Sequence, residues 1–203
     1  MNDQLFSDLH RKSSLTGAAR FAASTRQAAH AKASQWSVAI LSVVLIIVSV
    51  GQALGLLRSV PNEQLTLLQV GISTLVLVFS LLLGLENYAV RSERSHRCGL
   101  ELNEVARRAE ALVGSGATVE KYTELCEAYE RILAQHENHE QLDYLMQKSR
   151  WRKNYPAGWF PWIADAVTSR ARYIATFWPY LALMWLAWSA LRPVVQLLLA
   201  RPA

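Results

Sequence analysis

Charge is scarce in this sequence and unevenly placed. Only 18% of its 203 residues are Asp, Glu, Lys or Arg, against ~25% in an ordinary soluble domain. Of the 37 charged side chains, 7 lie in the first 32 positions, 26 lie between Glu86 and Arg172, and only Arg58, Glu63, Arg192 and Arg201 serve the remainder. A soluble one-domain enzyme would spread its charges over every surface helix, so this pattern argues against one. A hydrophobic fraction of 52% excludes a disordered chain. Cysteine is nearly absent: Cys98 and Cys126 have no companions at metal-ligand spacing and read as free thiols. There is no G-x-x-x-x-G-K-[ST], no G-x-S-x-G and no glycine-rich phosphate loop. HENHEQLDY, His136 to Tyr144, gathers histidines and carboxylates, but its histidines stand three apart, whereas a zincin helix needs them four apart. No catalytic, cofactor-binding or metal-binding residue is assigned, no cofactor is expected, and the chain reads as a non-enzyme.

What the sequence has in quantity is long apolar runs. Residues 33–57 lie between Lys32 and Arg58; as a helix this run is about 37 Å long at ~1.5 Å per residue, enough to cross a ~30 Å hydrocarbon core. It starts too late and runs too long for a signal peptide. Residues 64–85 form a second span, and the six-residue connection RSVPNE forces the two into an antiparallel transmembrane hairpin. A third run, YIATFWPYLALMWLAWSAL from Tyr173 to Leu191, carries three tryptophans and Pro179 and resumes after Arg192-Pro193 to Ala200. The expectation is a third, kinked spanning helix over 173–200; a segment lying in the membrane plane is the competing reading, because Trp and Tyr favour the headgroup region.

Basic residues set the expected orientation. Residues 1–32 form a basic arm with Arg11, Lys12, Arg20, Arg26 and Lys32, and Arg91, Arg94 and Arg97 follow the second span. The positive-inside rule places the amino terminus and residues 86–172 in the cytoplasm. Residues 86–144 read as a helical region. The second membrane helix is expected to continue unbroken from Leu85 to the loop GSGAT at Gly114–Thr118, and Thr118 with Glu120 marks a capped start for the next helix. Tyr122, Leu125, Cys126, Tyr129, Ile132 and Leu133 recur at intervals of three and four, a buried stripe. The predicted fold is all-α: a membrane hairpin carrying a cytoplasmic helical hairpin, with a third carboxy-terminal span.

Residues 145–172 carry 6 basic and 1 acidic side chains, interleaved with aromatics such as Trp151, Trp159 and Trp162. Basic-aromatic mixtures grip single-stranded nucleic acid, but one that leads into an apolar segment fits an interfacial belt better, with Arg152 and Lys153 on anionic headgroups. Membrane lipids are therefore the expected partner, and direct nucleic-acid binding is not.

Three features in this order resemble the SLATT family of bacterial membrane effectors: the basic arm running into a tight two-helix hairpin, LENYAVRSERSHRCGLELNEVARR, and YERILAQHENHEQLDY. The likeness runs roughly over residues 18–188 and is nearest to the subfamily often encoded beside reverse transcriptases. The resemblance implies an anti-phage effector of the bacterial inner membrane. Such a protein forms an oligomeric pore that permeabilises or depolarises the membrane when a co-encoded sensor, a nucleotide-signalling protein or a reverse transcriptase, is triggered. It further implies that Tyr129, Glu137, Asn138, His139, Asp143 and Tyr144 are a family signature, to which a structural or gating role is given.

The membrane helices themselves are compatible with a pore. Thr66, Ser73, Ser80 and Asn87 fall at seven-residue intervals, which aligns them on one face of a supercoiled helix. Glu86 would ring the mouth, and Gly51 with Gly55 form a G-x-x-x-G pair suited to close helix packing. Hydroxyls that simply bond their own backbone are an equal alternative to pore lining. A further alternative is a non-conducting membrane anchor or signalling subunit that docks a soluble partner through the helices of residues 86–144, whose net charge is −5 from 7 basic and 12 acidic residues.

Overall fold

The structure, a computed structural model, describes residues 2–57, 60–136, 141–150 and 158–199. Every regular element among them is an α-helix: α1 (Asn2–Ala53), α2 (Asn62–Glu86), α3 (Tyr88–Leu112), α4 (Val119–Gln135), α5 (Gln141–Ser149), α6 (Trp159–Ala175) and α7 (Trp178–Leu199). They group into two units, one of residues 1–28 with 89–175, the other of residues 29–88 with 176–203.

In the first unit the opening of α1 lies antiparallel to α3. Three pairings fix the register. The ring Nδ1 of His10 lies 3.0 Å from the Ala106 carbonyl, Gly17 faces the backbone of Gly99, and the Ser24 and Ser92 hydroxyls meet at 3.2 Å. Each step advances seven residues on α1 and retreats seven on α3, the repeat of coiled-coil packing. The helices can approach closely because Gly17 and Gly99 stand at the crossing. A Cβ added to Gly99 would sit 2.9 Å from the Phe21 ring.

The loop after α3 turns on Gly114 and Gly116, both at positive φ (+76° and +69°), a conformation that glycine adopts without a steric penalty. The start of α1 holds this loop: Asp3 accepts from the Gly114 amide at 2.9 Å, and Asn2 donates to the Ala117 carbonyl at 3.2 Å. The returning α4 presents the expected stripe. Leu125 and Tyr129 are buried, and Tyr122, Cys126, Ile132 and Leu133 are packed beside them, in a core that includes Phe6, Leu9, Cys98, Leu102 and Val105. Thr118 occupies the N-cap of α4 but makes no capping bond to the backbone; its hydroxyl hydrogen-bonds the Glu120 carboxylate instead. Trp162 of α6 donates to the Ser149 carbonyl at 2.8 Å, joining α5 to α6.

In the second unit the later part of α1 packs on α2 and α7 through Leu41, Val44, Val48, Leu65, Ile72, Leu183 and Ala187. Gln69 donates to the Gln52 side chain at 2.7 Å, a polar tie between two apolar helices. Stretches within α1 and α2 are each long and apolar enough to cross a membrane, and α6 with α7 would supply a third span if the pair counts as one. The chain is thus a helical membrane protein with two or three candidate spans.

Three expectations are corrected. The basic arm over residues 1–32 is no separate element, because residues 2–32 begin α1 and its first part is a full partner in the first unit. The helix expected to run unbroken past Leu85 stops at Asn87, which takes a left-handed conformation (φ 45°, ψ 39°) that asparagine tolerates better than most residues. In the third stretch, the break falls at residues 176–177 rather than at Pro179 or Arg192-Pro193. Pro179 lies in the first turn of α7, where its missing N–H forfeits no helical bond, and the backbone stays helical to Leu199.

Overpacking the α1–α3 crossing tests this arrangement. Gly99→Val should destabilise the first unit by ~1–3 kcal/mol, read as a lower melting temperature of the detergent-solubilised protein. Adding Phe21→Leu to that variant should recover part of the loss; a Gly99→Val melt equal to wild type would disprove the crossing.

Candidate functional site

The hydroxyls of α2 lie on a face that its neighbours leave open. At ~100° per residue, Thr66, Ser73, Ser80 and Gly84 share one strip of the helix, and all are exposed. The face that packs into the unit is a different one, marked by Leu65 and Ile72. Each hydroxyl donates to the carbonyl four residues earlier: Thr66 to Asn62 at 2.9 Å, Ser73 to Gln69 at 2.7 Å and Ser80 to Val76 at 2.7 Å. On α1, Ser42 and Ser49 do the same, to Val38 at 2.9 Å and Leu45 at 2.8 Å. Satisfied in this way, the groups are tolerated against hydrocarbon. Large apolar side chains, among them Leu67, Val70, Leu77 and Leu81, are exposed around them.

Two other expected positions do not join that strip. Asn87 lies beyond the end of α2, so the seven-residue row ends before it. Gly51 and Gly55 form no helix-packing pair: α1 ends at Ala53, Gly55 is a turn residue at φ +66°, and the space over Gly51 is filled by Leu57 at 3.3 Å. Glu86, the last residue of α2, lines a cavity of about 240 Å³ with His30, Tyr88 and Tyr180. His30 is buried there, stacked on Phe177 with ring centroids 4.4 Å apart, and its Nδ1 lies 3.2 Å from the Tyr180 hydroxyl.

The signature residues that are described converge on α1. Asp143 is fully buried and accepts two hydrogen bonds from Arg26, Nε to Oδ1 and Nη2 to Oδ2, both at 3.0 Å. This is the planar fork pairing for which guanidinium and carboxylate are matched. Tyr129 is buried with its hydroxyl 3.3 Å from that of Thr16, and Lys12 lies 4.8 Å above its ring. Tyr144 lines the same groove as Tyr129, Lys12 and Thr16. Glu137, Asn138 and His139 lie outside the described residues, as do Trp151, Arg152 and Lys153 of the interfacial set. Of that set, Trp159 is exposed and Trp162 is turned back onto α5.

Burial pushes the Cys98 thiol up, away from the thiolate a nucleophile needs. Among the described residues no three His, Cys, Asp or Glu side chains gather as a metal site. On the exposed face of α4, a hydrogen bond from Thr118 holds the Glu120 carboxyl below its usual range, and one from Lys121 does the same for Glu124.

Residues 2–192 match the family model described as SMODS and SLOG-associating 2TM effector domain family 5. The chain belongs to this family. Comparison with curated proteins and with solved structures gave no significant match. The match begins at residue 2, so the domain of this SLATT protein includes the whole opening of α1. Sequence reasoning missed that half of the site. By composition Arg26 reads as an orienting surface charge, and only its spacing from Phe6, Leu9, Ser13, Ala19 and Ala23 along one buried face marks it as interior.

Breaking the fork should therefore be severe. Removing one partner of a buried ion pair leaves the other uncompensated, a loss of ~3–5 kcal/mol. Asp143→Asn and Arg26→Met are each expected to lower the thermal midpoint and expose α5 to limited proteolysis. The double variant Arg26→Met with Asp143→Leu should regain most of the midpoint; single variants that melt like wild type would refute the pairing.

Proposed function

We propose that this SLATT protein is a pore-forming effector of a bacterial anti-phage system. It resides in the inner membrane with its amino terminus and residues 86–172 in the cytoplasm. On triggering by a co-encoded sensor, such as a nucleotide-signalling protein or a reverse transcriptase, it permeabilises or depolarises that membrane and catalyses no reaction. Membership of a two-span effector family supports the class, and the observation that carries the mechanism is the open α2 face. A helix with Leu on all sides would face lipid all round, whereas the strip of Thr66, Ser73, Ser80 and Gly84 offers hydroxyls for water and a small residue for close helix approach. One copy, with two or three spans, encloses no channel, so conduction requires several copies with this face turned inward.

One observation favours the second reading, a non-conducting anchor that docks a soluble partner. Glu120, Glu124 and Glu127 are exposed along α4, and hydrogen bonds from Thr118 and Lys121 hold the first two carboxyls below their usual range. A basic partner would find a charged stripe there.

Conduction separates the readings. In a variant with Cys98 and Cys126 replaced by Ala, Ser73→Cys or Ser80→Cys should make the current through reconstituted protein sensitive to a water-soluble thiol reagent. Controlled expression with its trigger should collapse the membrane potential. Current untouched by the reagent removes these residues from a lumen, and an intact potential favours the anchor.

A further inference from the structure

Helix α6 carries its large apolar side chains on the outside. Its inward side is small and polar: Ala166 and Ser169 are buried, and Trp162 turns to the Ser149 carbonyl of α5. Away from that side, Phe160, Val167 and Ile174 are 73%, 60% and 66% exposed, and Ile163 between them is exposed too. At ~100° per residue these four fall in one strip about 60° wide. A helix on the surface of a water-soluble unit turns such a strip inward, so an outward one marks a face that an apolar phase covers.

Three observations choose that phase. The three- and four-residue spacing of the strip does not stop with α6 but runs on through Trp178 and Leu181, which are exposed on α7. Thr176 and Phe177 alone separate the two helices, and α7 is the more apolar half of the candidate third span. Charge agrees with this. Arg170, exposed, borders the strip three residues from Val167 and four from Ile174. The one acidic residue of α6, Asp165, lies away from the strip and 3.9 Å from Lys148 of α5. Full insertion fits less well, because Asp165, Arg170 and Arg172 fall within eight residues and each is costly in hydrocarbon. A helix with one apolar face and one polar face lies in the plane of the interface instead.

We propose that α6 docks in plane on the bilayer surface, with Phe160, Ile163, Val167 and Ile174 at the acyl boundary and Arg170 on anionic headgroups. The lipid contact thus belongs to the outer strip of α6 and not to Trp162, which the sequence placed at the interface. The docking is independent of conduction, since none of these residues lies on α2.

The test uses the full chain in vesicles of phosphatidylglycerol and phosphatidylcholine. With Cys98 and Cys126 replaced by Ala, a nitroxide is attached in turn through Phe160→Cys, Val167→Cys, Ile174→Cys, Thr168→Cys on another exposed side of α6, and Glu127→Cys on exposed α4 as the reference for water. Collision with oxygen, which concentrates in lipid, is compared with collision with a water-soluble nickel chelate. The ratio of oxygen to nickel collisions should be several-fold higher at 160, 167 and 174 than at 168 and 127. Adding Arg170→Gln, or leaving out phosphatidylglycerol, should move the Val167→Cys label toward nickel. Strip labels as open to nickel as the one at 127 overturn the docking. Strip labels shielded from both reagents overturn it in favour of a protein cover such as a second copy, and a label at 168 as rich in oxygen as the strip overturns it in favour of full insertion. A Val167→Cys label unmoved by both changes overturns the role given to anionic headgroups.

Discussion

One buried seam along α1 organises the chain. Phe6, Leu9, Ser13, Gly17, Arg20, Ala23, Gln27, His30, Ser34, Ser37, Leu41, Val44, Val48 and Gly51 are all buried and follow one another at intervals of three or four, the spacing of a helix that keeps one face inward. Until Leu41 that face is poor in large apolar groups. Small residues allow close helix approach, and every polar residue must find a partner or forfeit the energy of a buried unsatisfied group. Ser34 and Ser37 turn to carbonyls of their own helix. Gln27 accepts from Ser95 at 3.1 Å, His30 meets Tyr180, and Arg26 takes Asp143. The partners of α1 are thus chosen by polar complementarity in its first half and by apolar packing in its second.

That division explains what was legible in the sequence. The all-helical class, the two spans and the stripe on α4 rest on large apolar side chains, whose spacing declares which side is inward. The opening of α1 gave no such signal. Its inward positions are held by Ser13, Gly17, Arg20 and Gln27, so composition reads as a basic arm, while periodicity over Phe6, Leu9, Ala19 and Ala23 is the trace that remained. The helix break leaves no mark in the sequence for a related reason: Asn87 is compatible with a helix interior by propensity, and only its backbone conformation marks the end of α2. Likewise Pro179 reads as a kink from sequence alone, because whether a proline bends a helix or begins one depends on where the helix starts. The seven-residue row of hydroxyls on α2 was readable from spacing alone, because regular intervals on a helix survive any choice of neighbours.

The same physics acts differently on α2. A serine or threonine in hydrocarbon is tolerable when its hydroxyl is bonded to the preceding turn, and Thr66, Ser73 and Ser80 are all so bonded. These residues do not oblige the protein to surround them with water, and they do not forbid it. A strip of this kind carries a small penalty against lipid and a small gain against water, so modest differences in packing between copies decide which it faces. A strip of Asp or Lys would be far costlier to leave against lipid, and a strip of Leu could not be wetted.

Helix α5 stands at the other extreme of anchoring. It has nine residues and its buried side chains are Asp143 and Ser149. Alone it is shorter than the ~12–15 residues an isolated helix needs for even marginal stability in water, and its apolar side chains Leu142, Leu145 and Met146 are half-buried rather than enclosed. Beside that partial packing, directional contacts hold it: the Arg26 fork on Asp143, the Trp162 bond to Ser149 and the Lys148 ammonium 3.9 Å from the Asp165 carboxylate. Such contacts fix one arrangement sharply, since a displacement of about an ångström already breaks hydrogen-bond geometry, whereas apolar contacts yield more gradually. An element held by few directional contacts and little apolar burial belongs to the low end of local stability within a fold. Asp143 and Tyr144 thus fall on a short helix whose placement depends on α1 more than on a core of its own.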